Sequence, residues 1–555
     1  MGSVPYRGPL WHKPGALPAR RYMRFCANTA ALLSGEAYLS FMHCVGLCDG
    51  NASIGHHVAT HIDWFPRAVP VVAFVGRSTV GSAMHRIWPA WLEALALPRT
   101  KLMSVDVATL PCREDKEADD VTEFRLKAVV DALVKLPRAI VQGALITAHK
   151  IRAWRHLAAI GHRAQRCACA CACGHNPARA VAERAPTGAG AGAGSSGPGG
   201  VPTVPAGTHA STKTGATASA PCQWITSVDV AARICQEAAV LSKTPGTAGS
   251  TSHSTHVHAP DSYATAMSMN HMLEGSSASY WHAHPDAQLV CFGAGGAGTA
   301  IVLHVLTGLG GADFTAASTC DDSSACDWSP ARATLLPMAA LPSKLVVVDC
   351  DRDALDRLAH LIASVIEGAG ECAEEGSDNI ASYSLLHGRI QLGVSSSAAA
   401  NDITVSALAP YSMVVNATGL GKSTPGSPLT DDVAFPQHCV VWEMNYRGER
   451  QFLRQAMAWQ SRHEASGAIA IHDGWYAFVQ GWSRCVELVY GVELTADQRA
   501  VLGATAASVV GRPAGVNACT DSGYTAEAPT TQDMAEAWRA AMRGQKGASE
   551  DHVVV

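Results

Sequence analysis

The chain lacks long apolar runs. No 18 consecutive residues are free of charged or strongly polar side chains, so no membrane-spanning helix and no membrane partner are expected. It also lacks a basic excess: 42 Lys and Arg stand against 47 Asp and Glu, a net charge of −5, which argues against nucleic acid as a partner. Cysteine is too sparse for a disulfide scaffold. The 18 Cys are irregularly spaced and fall well below the roughly 8–10% of such chains, which points to a reducing, intracellular compartment. Acidic residues are missing from the first 35 positions, which hold Arg7, Lys13, Arg20, Arg21 and Arg24. Two readings stand for that stretch: a transit peptide to an organelle such as a plastid, or a frayed, Pro-rich terminus of a cytoplasmic protein.

What is present is a core. Apolar residues make up 48% of the 555 positions and charged residues 16%, too apolar for a wholly disordered chain. VVAFVG (71–76) reads as a buried strand, and IWPAWLEALAL (87–97) and EFRLKAVVDALVKL (123–136) as helices. AIVQGALITAHK (139–150) reads as a strand running into a polar loop, and VDVAARICQEAAVL (228–241) as a helix. Residues 164–222, with CACACACG and a Gly/Ala/Pro tract, are too poor in large apolar side chains to offset chain entropy and read as a disordered insertion. A second polar insertion spans 312–337. From Gln288 strands alternate with helices, which implies an α/β fold with a parallel sheet covered on both faces.

The sharpest motif is Gly293-Ala294-Gly295-Gly296-Ala297-Gly298, directly after a strand and opening a helix. In a dinucleotide site the first glycine permits the tight turn. The second admits the pyrophosphate, and the third lets helix pack on strand. The bland reading is a Gly-rich turn in an Ala-rich chain. The next strand ends at Asp349, which suits the ribose 2′-OH of NAD and would repel the 2′-phosphate of NADP; the alternative is a helix cap. Lys150 ends one predicted strand, and Asp261 precedes the helix-like SYATAMSMNHML. A Lys held against a carboxylate can exchange a proton with a hydroxyl or ketone; alone, each is as readily a surface lysine and an N-cap.

In order, GALITAHK, the Asp before a helix, GAGGAG, NATGLGKSTPGSPLTDD and DGW make the chain resemble the shikimate dehydrogenase family from about Phe74 to Glu493, with the two insertions interrupting. That resemblance implies an α/β substrate-binding domain (66–163 and 223–285), split by the insertion 164–222, and a Rossmann NAD(P)-binding domain (286–473). Helices at 474–515 return to the first domain, with an extension at 1–65 and a tail at 516–555. It implies reversible hydride transfer between NAD or NADP and a cyclic hydroxy acid of the shikimate pathway, with Lys150 as acid/base and Asp261 as its partner. Quinate or a related polyol acid is the alternative substrate, and a non-catalytic metabolite-binding regulator the alternative role. The resemblance assigns Ser78, Thr79, Ser82, Thr147, Ser242, Tyr446 and Gln480 to the small-molecule substrate, and Asn416, Ala417, Thr418 and Gly474 to the cofactor. Departures from the family concentrate in the hydroxyl-reading shell. Ala259-Pro260-Asp261 replaces Asn-Thr-Asp, Leu241 and Ser242 fall where Asn is usual, and Gly481 falls where Gln is usual.

No metal is expected. Cys167, Cys169, Cys171 and Cys173 alternate strictly, unlike the C-x₂₋₄-C of structural zinc, and His253, His256 and His258 read as a polar loop leading to the cleft, although His256 and His258 would share one face were it a strand.

Overall fold

Val71–Gly76 (β1) is buried at every position, as a strand covered on both faces must be. It pairs in parallel with Lys101–Asp106 (β2) and Val141–Ile146 (β3). The other half of this sheet is Ile225–Val228 (β4), Val240–Pro245 (β5) and His253–His258 (β6). The order is β2-β1-β3-β5-β6-β4, with β5 antiparallel to both β3 and β6. The computed structural model describes residues 70–512, apart from 77–78, 80, 108–122, scattered positions from 124 to 140, 173–224, 246–252, 312–332, 334, 372–387, 423 and 464–466. Ser78, Cys173, the N-terminal extension, the tail, most of the first insertion and most of the second lie outside the described residues.

Side chains along β1 divide with period two. Val71, Ala73 and Val75 enter one apolar cluster; Val72 and Phe74 enter another on the opposite face. The second cluster is completed by Met84–Ala94 (α1) and by the two C-terminal helices, labelled below, through Trp88, Trp91, Phe478, Val489 and Leu502.

The second sheet contains Gln288–Phe292 (β7), Lys344–Asp349 (β8), Ile390–Val394 (β9), Met413–Asn416 (β10), Val440–Glu443 (β11) and Ala470–His472 (β12). All its pairings are parallel, in the order β9-β8-β7-β10-β11-β12. That is the doubly wound arrangement whose strand order reverses between its first and fourth strands, here β7 and β10. Leu289 and Cys291 point into one core and Val290 and Phe292 into the other.

The remaining helices are Lys150–Ala172 (α2), Val230–Cys235 (α3), Asp261–Met272 (α4), Ser277–Ala283 (α5), Gly296–Thr307 (α6), Arg352–Glu371 (α7), Ala398–Ser406 (α8), Gln451–Arg462 (α9), Trp475–Tyr490 (α10) and Ala496–Val510 (α11). Two differ from the sequence expectation. Residues 228–241 do not form one helix: α3 stops at Cys235, Gln236 turns left-handed at φ 51°, and Val240 and Leu241 enter β5. Their burial between β3 and β6 outweighs the helix propensity of the alanines. Conversely, α2 continues to Ala172, so residues 164–172 are helical, consistent with alternating Ala at the helix end.

Two contacts fix the helices. Buried Glu487 on α10 accepts from Arg484 (2.9 Å), Arg499 (2.6 Å) and the backbone of Leu494 (2.8 Å), tying α10 to α11. Past the far end of α6, Gly310 takes φ +85° against α4; a Cβ there would lie 2.2 Å from the carbonyl of Ser262.

Candidate active site

Lys150 and Asp261 lie 111 residues apart in sequence and meet in space. The chain leaves β3 at Ile146, the Thr147 N–H donates to the Val75 carbonyl (2.9 Å), and Lys150 opens α2. Asp261 is the first residue of α4. The N-cap is Pro260, with no side-chain cap, so the carboxylate is free of that duty and sits at the positive end of the helix. Lys150 Nζ donates to Asp261 Oδ2. The Lys side chain is 17% exposed and the Asp 32%, so the pair is largely buried yet not sealed from solvent. Burial disfavours the ammonium, but the carboxylates of Asp261 and Glu237 outweigh it and hold the Lys150 pKa above its ordinary value.

Glu237, between α3 and β5, is 2% exposed. Burial pushes its carboxyl up to about 7, with Lys150 and Arg357 opposing the rise and Asp261 adding to it. Its Oε1 has no hydrogen-bond partner. The same oxygen would stand 2.8 Å from a Cβ on Gly296, so this carboxyl lies between the Lys–Asp pair and the glycine turn.

The glycine turn is as tight as its sequence requires. Gly293 has φ +108°, and a Cβ there would lie 2.7 Å from the Ala417 backbone; one on Gly298 would lie 1.9 Å from the Gly293 carbonyl. At Gly295 a Cβ would meet nothing within 4 Å. Gly295 is the N-cap of α6 without a side-chain cap, and Gly296 and Ala297 begin the helix, leaving its first N–H groups without side-chain acceptors. Ala294 N–H donates to Asp349 Oδ2 (2.6 Å), and Arg357 donates to the Ala294 carbonyl (2.9 Å) and to Thr299 Oγ1 (3.2 Å). Asp349 Oδ1 accepts from the Asp351 N–H (2.9 Å), so this carboxylate fixes the turn from the end of β8. Asn416 ends β10; its side-chain N–H donates to Glu443 Oε2 (2.9 Å) and its Oδ1 accepts from the Thr418 hydroxyl (2.7 Å). It shapes the 416–418 turn against Gly293. Gly474 is needed for packing: a Cβ would lie 2.0 Å from the Met444 carbonyl. An open space above free helix N–H groups, with glycine where a side chain would intrude, fits a dinucleotide diphosphate.

The substrate-side residues divide. Thr79 and Thr147 converge on Gly76, where a Cβ would lie 2.7 Å from Thr79 Cγ2 and 2.6 Å from Thr147 Oγ1. Thr147 is exposed, and Ser82 Oγ accepts from the Met84 N–H (3.3 Å). Tyr446 packs at a tilt against Phe478 (ring centres 4.2 Å apart), with Lys422 Nζ 5.2 Å from its ring centre. Gln480 is buried, and its Oε1 has no hydrogen-bond partner. Ser242 is engaged elsewhere. Its Oγ bonds His258 Nε2 (2.8 Å), whose Nδ1 bonds Asp229 (3.0 Å), while His256 bonds Ser227 (2.5 Å) and Thr244 (3.0 Å). Ser242 is thus part of a polar ladder across β5 and β6, which also accounts for the histidines. Among the described residues no three His, Cys, Asp or Glu side chains converge as a metal site, and no helix is long and apolar enough to cross a membrane.

Three neighbours of the pair escaped the sequence reading. Glu237 carried one signal, a lone charge within ICQEAAVL. Lys422 follows the NATGLG tract; burial pushes its pKa down, with Arg447 and Lys150 adding to the fall and Asp261 and Glu443 opposing it. Cys485, on α10, interacts electrostatically with both Lys150 and Asp261, and burial raises its thiol to about 12.

No family model matches the chain, and no curated protein matches it. Solved structures do. The chain is similar to a quinate dehydrogenase from Corynebacterium glutamicum in complex with NAD (14% identity, TM-score 0.41, covering 79% of this chain and 99% of that one). It is similar to shikimate 5-dehydrogenase from Thermus thermophilus in complex with shikimate (13%, TM-score 0.38, 80% and 100%). A third similar structure is the 5-ketofructose reductase of Gluconobacter sp. strain CHM43 (12%, TM-score 0.36, 80% and 99%).

Proposed function

We propose that this chain is an NAD(P)-dependent oxidoreductase that interconverts hydroxyl and ketone on a cyclic hydroxy acid of the shikimate or quinate type. The observation that carries the reading is the Lys150–Asp261 pair, largely buried yet not sealed from solvent, and linked through buried Glu237 to the glycine turn. An ion pair needed only for stability would not have to lie beside an anion cradle.

In this reading Gly293–Gly298 receive the diphosphate, Asp349 faces the ribose, and the 416–418 turn and Gly474 shape the nicotinamide side. A carboxylate at Asp349 favours NAD over NADP. Bound there, the nicotinamide supplies the hydride acceptor or donor. Lys150 holds the proton: its ammonium protonates the substrate oxygen as the ketone becomes a hydroxyl, and the amine takes the proton back in reverse. Asp261 orients Nζ and keeps it charged. Because the cation is the resting form, reduction is favoured near neutrality and oxidation at alkaline pH. Thr79, Ser82 and Thr147 offer hydroxyls to the substrate, and Lys422 offers a cation to its carboxylate.

The test follows nicotinamide absorbance at about 340 nm with NAD and NADP, offering shikimate and quinate, wild type beside Lys150→Ala. Turnover that falls by at least about 100-fold in the variant supports the reading. Dinucleotide and hydroxy-acid binding without turnover in the wild type would overturn it in favour of a metabolite-binding regulator.

A further inference from the structure

Glu237 lies against the glycine turn, and the proposed chemistry does not use it. It is 2% exposed, its Oε1 lacks a hydrogen-bond partner, and that oxygen packs against Gly296 in the first turn of α6. An orphaned, buried carboxylate oxygen is costly, and the fold keeps it where a second anion is due. The groups that act on it electrostatically are Lys150 of α2, Asp261 of α4 and Arg357 of α7; Cys235, at the end of α3, is in turn influenced by it. Lys150 is already engaged by Asp261, and Arg357 donates to Ala294 and Thr299. Among the described residues, no hydrogen-bonded cation is therefore dedicated to Glu237. The positive end of α6 contributes to holding its negative form.

A dinucleotide diphosphate seated on the same helix end takes over those N–H groups and adds two negative charges beside the carboxylate. Resting on the dinucleotide reading above, we infer that Glu237 couples binding to proton uptake: it takes one proton from solvent when a diphosphate occupies the glycine turn and returns it when the diphosphate leaves. Protonated Oε1 becomes a donor, so the orphan oxygen gains a use only in the bound state. No bond other than the carboxyl O–H forms or breaks. Since the free carboxyl titrates at about 7, the exchange falls in the physiological range.

The experiment is calorimetric titration of the full chain with NAD⁺, whose diphosphate does not titrate in this range, at about pH 7.5 in two buffers of different ionisation enthalpy. The expected result is uptake of up to one proton, with affinity falling by as much as about tenfold per pH unit above pH 7. Adenosine, which lacks the diphosphate, should bind without uptake, and Glu237→Gln should bind NAD⁺ without uptake and with a flat pH dependence. NAD⁺ binding without proton uptake, or equal uptake in Glu237→Gln, would overturn the inference and leave the dinucleotide reading standing. Failure of both NAD⁺ and NADP⁺ to bind the wild type at any pH would overturn both. Should the variant not fold, the contrast between NAD⁺ and adenosine on the wild type decides alone.

Discussion

Two alanine substitutions within one glycine turn should do opposite things. Gly298→Ala places a Cβ 1.9 Å from the Gly293 carbonyl, and Cβ atoms do not approach closer than about 3.0 Å, so strand and helix must separate by more than an ångström. Overpacking of that kind costs about 1–3 kcal/mol, against which the better helix propensity of alanine returns at most about 1 kcal/mol. A net loss of about 1–2 kcal/mol should lower Tm by roughly 2–8 °C. Gly295→Ala directs its methyl into space with no atom within 4 Å, at an N-cap with an ordinary backbone conformation. Its stability cost should stay within about 1 kcal/mol. The same methyl enters the volume a diphosphate needs, so NAD affinity should drop at least about tenfold, or about 1.4 kcal/mol. Thermal melts and dinucleotide titrations on both variants read the two effects separately. Unchanged NAD affinity in Gly295→Ala would refute the cradle, and an unchanged Tm in Gly298→Ala would refute the packing argument.

Other consequences follow from the charge network. Asp261→Asn removes an anion that raises the Lys150 pKa, so the alkaline limb of the pH–rate profile should move to lower pH. The raised pKa of Lys150 stabilises the fold fully below its unfolded value of about 10.4 and ceases to do so as pH rises through the folded value; the stability gap between wild type and Asp261→Asn, measured by denaturant titration, should therefore persist to about pH 10 and close above it. Glu487→Ala strands Arg499, Arg484 and the Leu494 N–H, and chemical denaturation should register a loss of about 3–5 kcal/mol. Ser242→Ala should cost about 1 kcal/mol through the lost bond to His258 and leave KM for the hydroxy acid unchanged; a raised KM would instead support a substrate role.

The legible parts of this chain are those where local pattern and tertiary need agree. β7 and α6 are read from QLVCFGAGGAG because a continuous apolar run must be a covered strand, and only glycines meet the turn that follows. β6 is not legible in that way. HSTHVH has a single apolar residue, Val257, and its strand state becomes reasonable only once Ser227, Thr244, Ser242 and Asp229 are seen to answer its histidines. The run after Cys235 misleads because alanines and valines suit helix and strand alike, and the decision comes from the slot between β3 and β6. At the site, Lys150 and Asp261 were recognisable from motif order. Glu237 was not, since a single Glu in an apolar run has no meaning until the second sheet brings Gly296 to it.

Gly310 gives α6 a mechanical character. One end of that helix carries the glycine turn, and the chain just past its other end touches the backbone one residue beyond Asp261. The helix thus works as a strut between the glycine turn and the start of α4. A side chain installed at Gly310 would lengthen the strut, and its effect would be felt at Asp261, although no candidate ligand touches position 310.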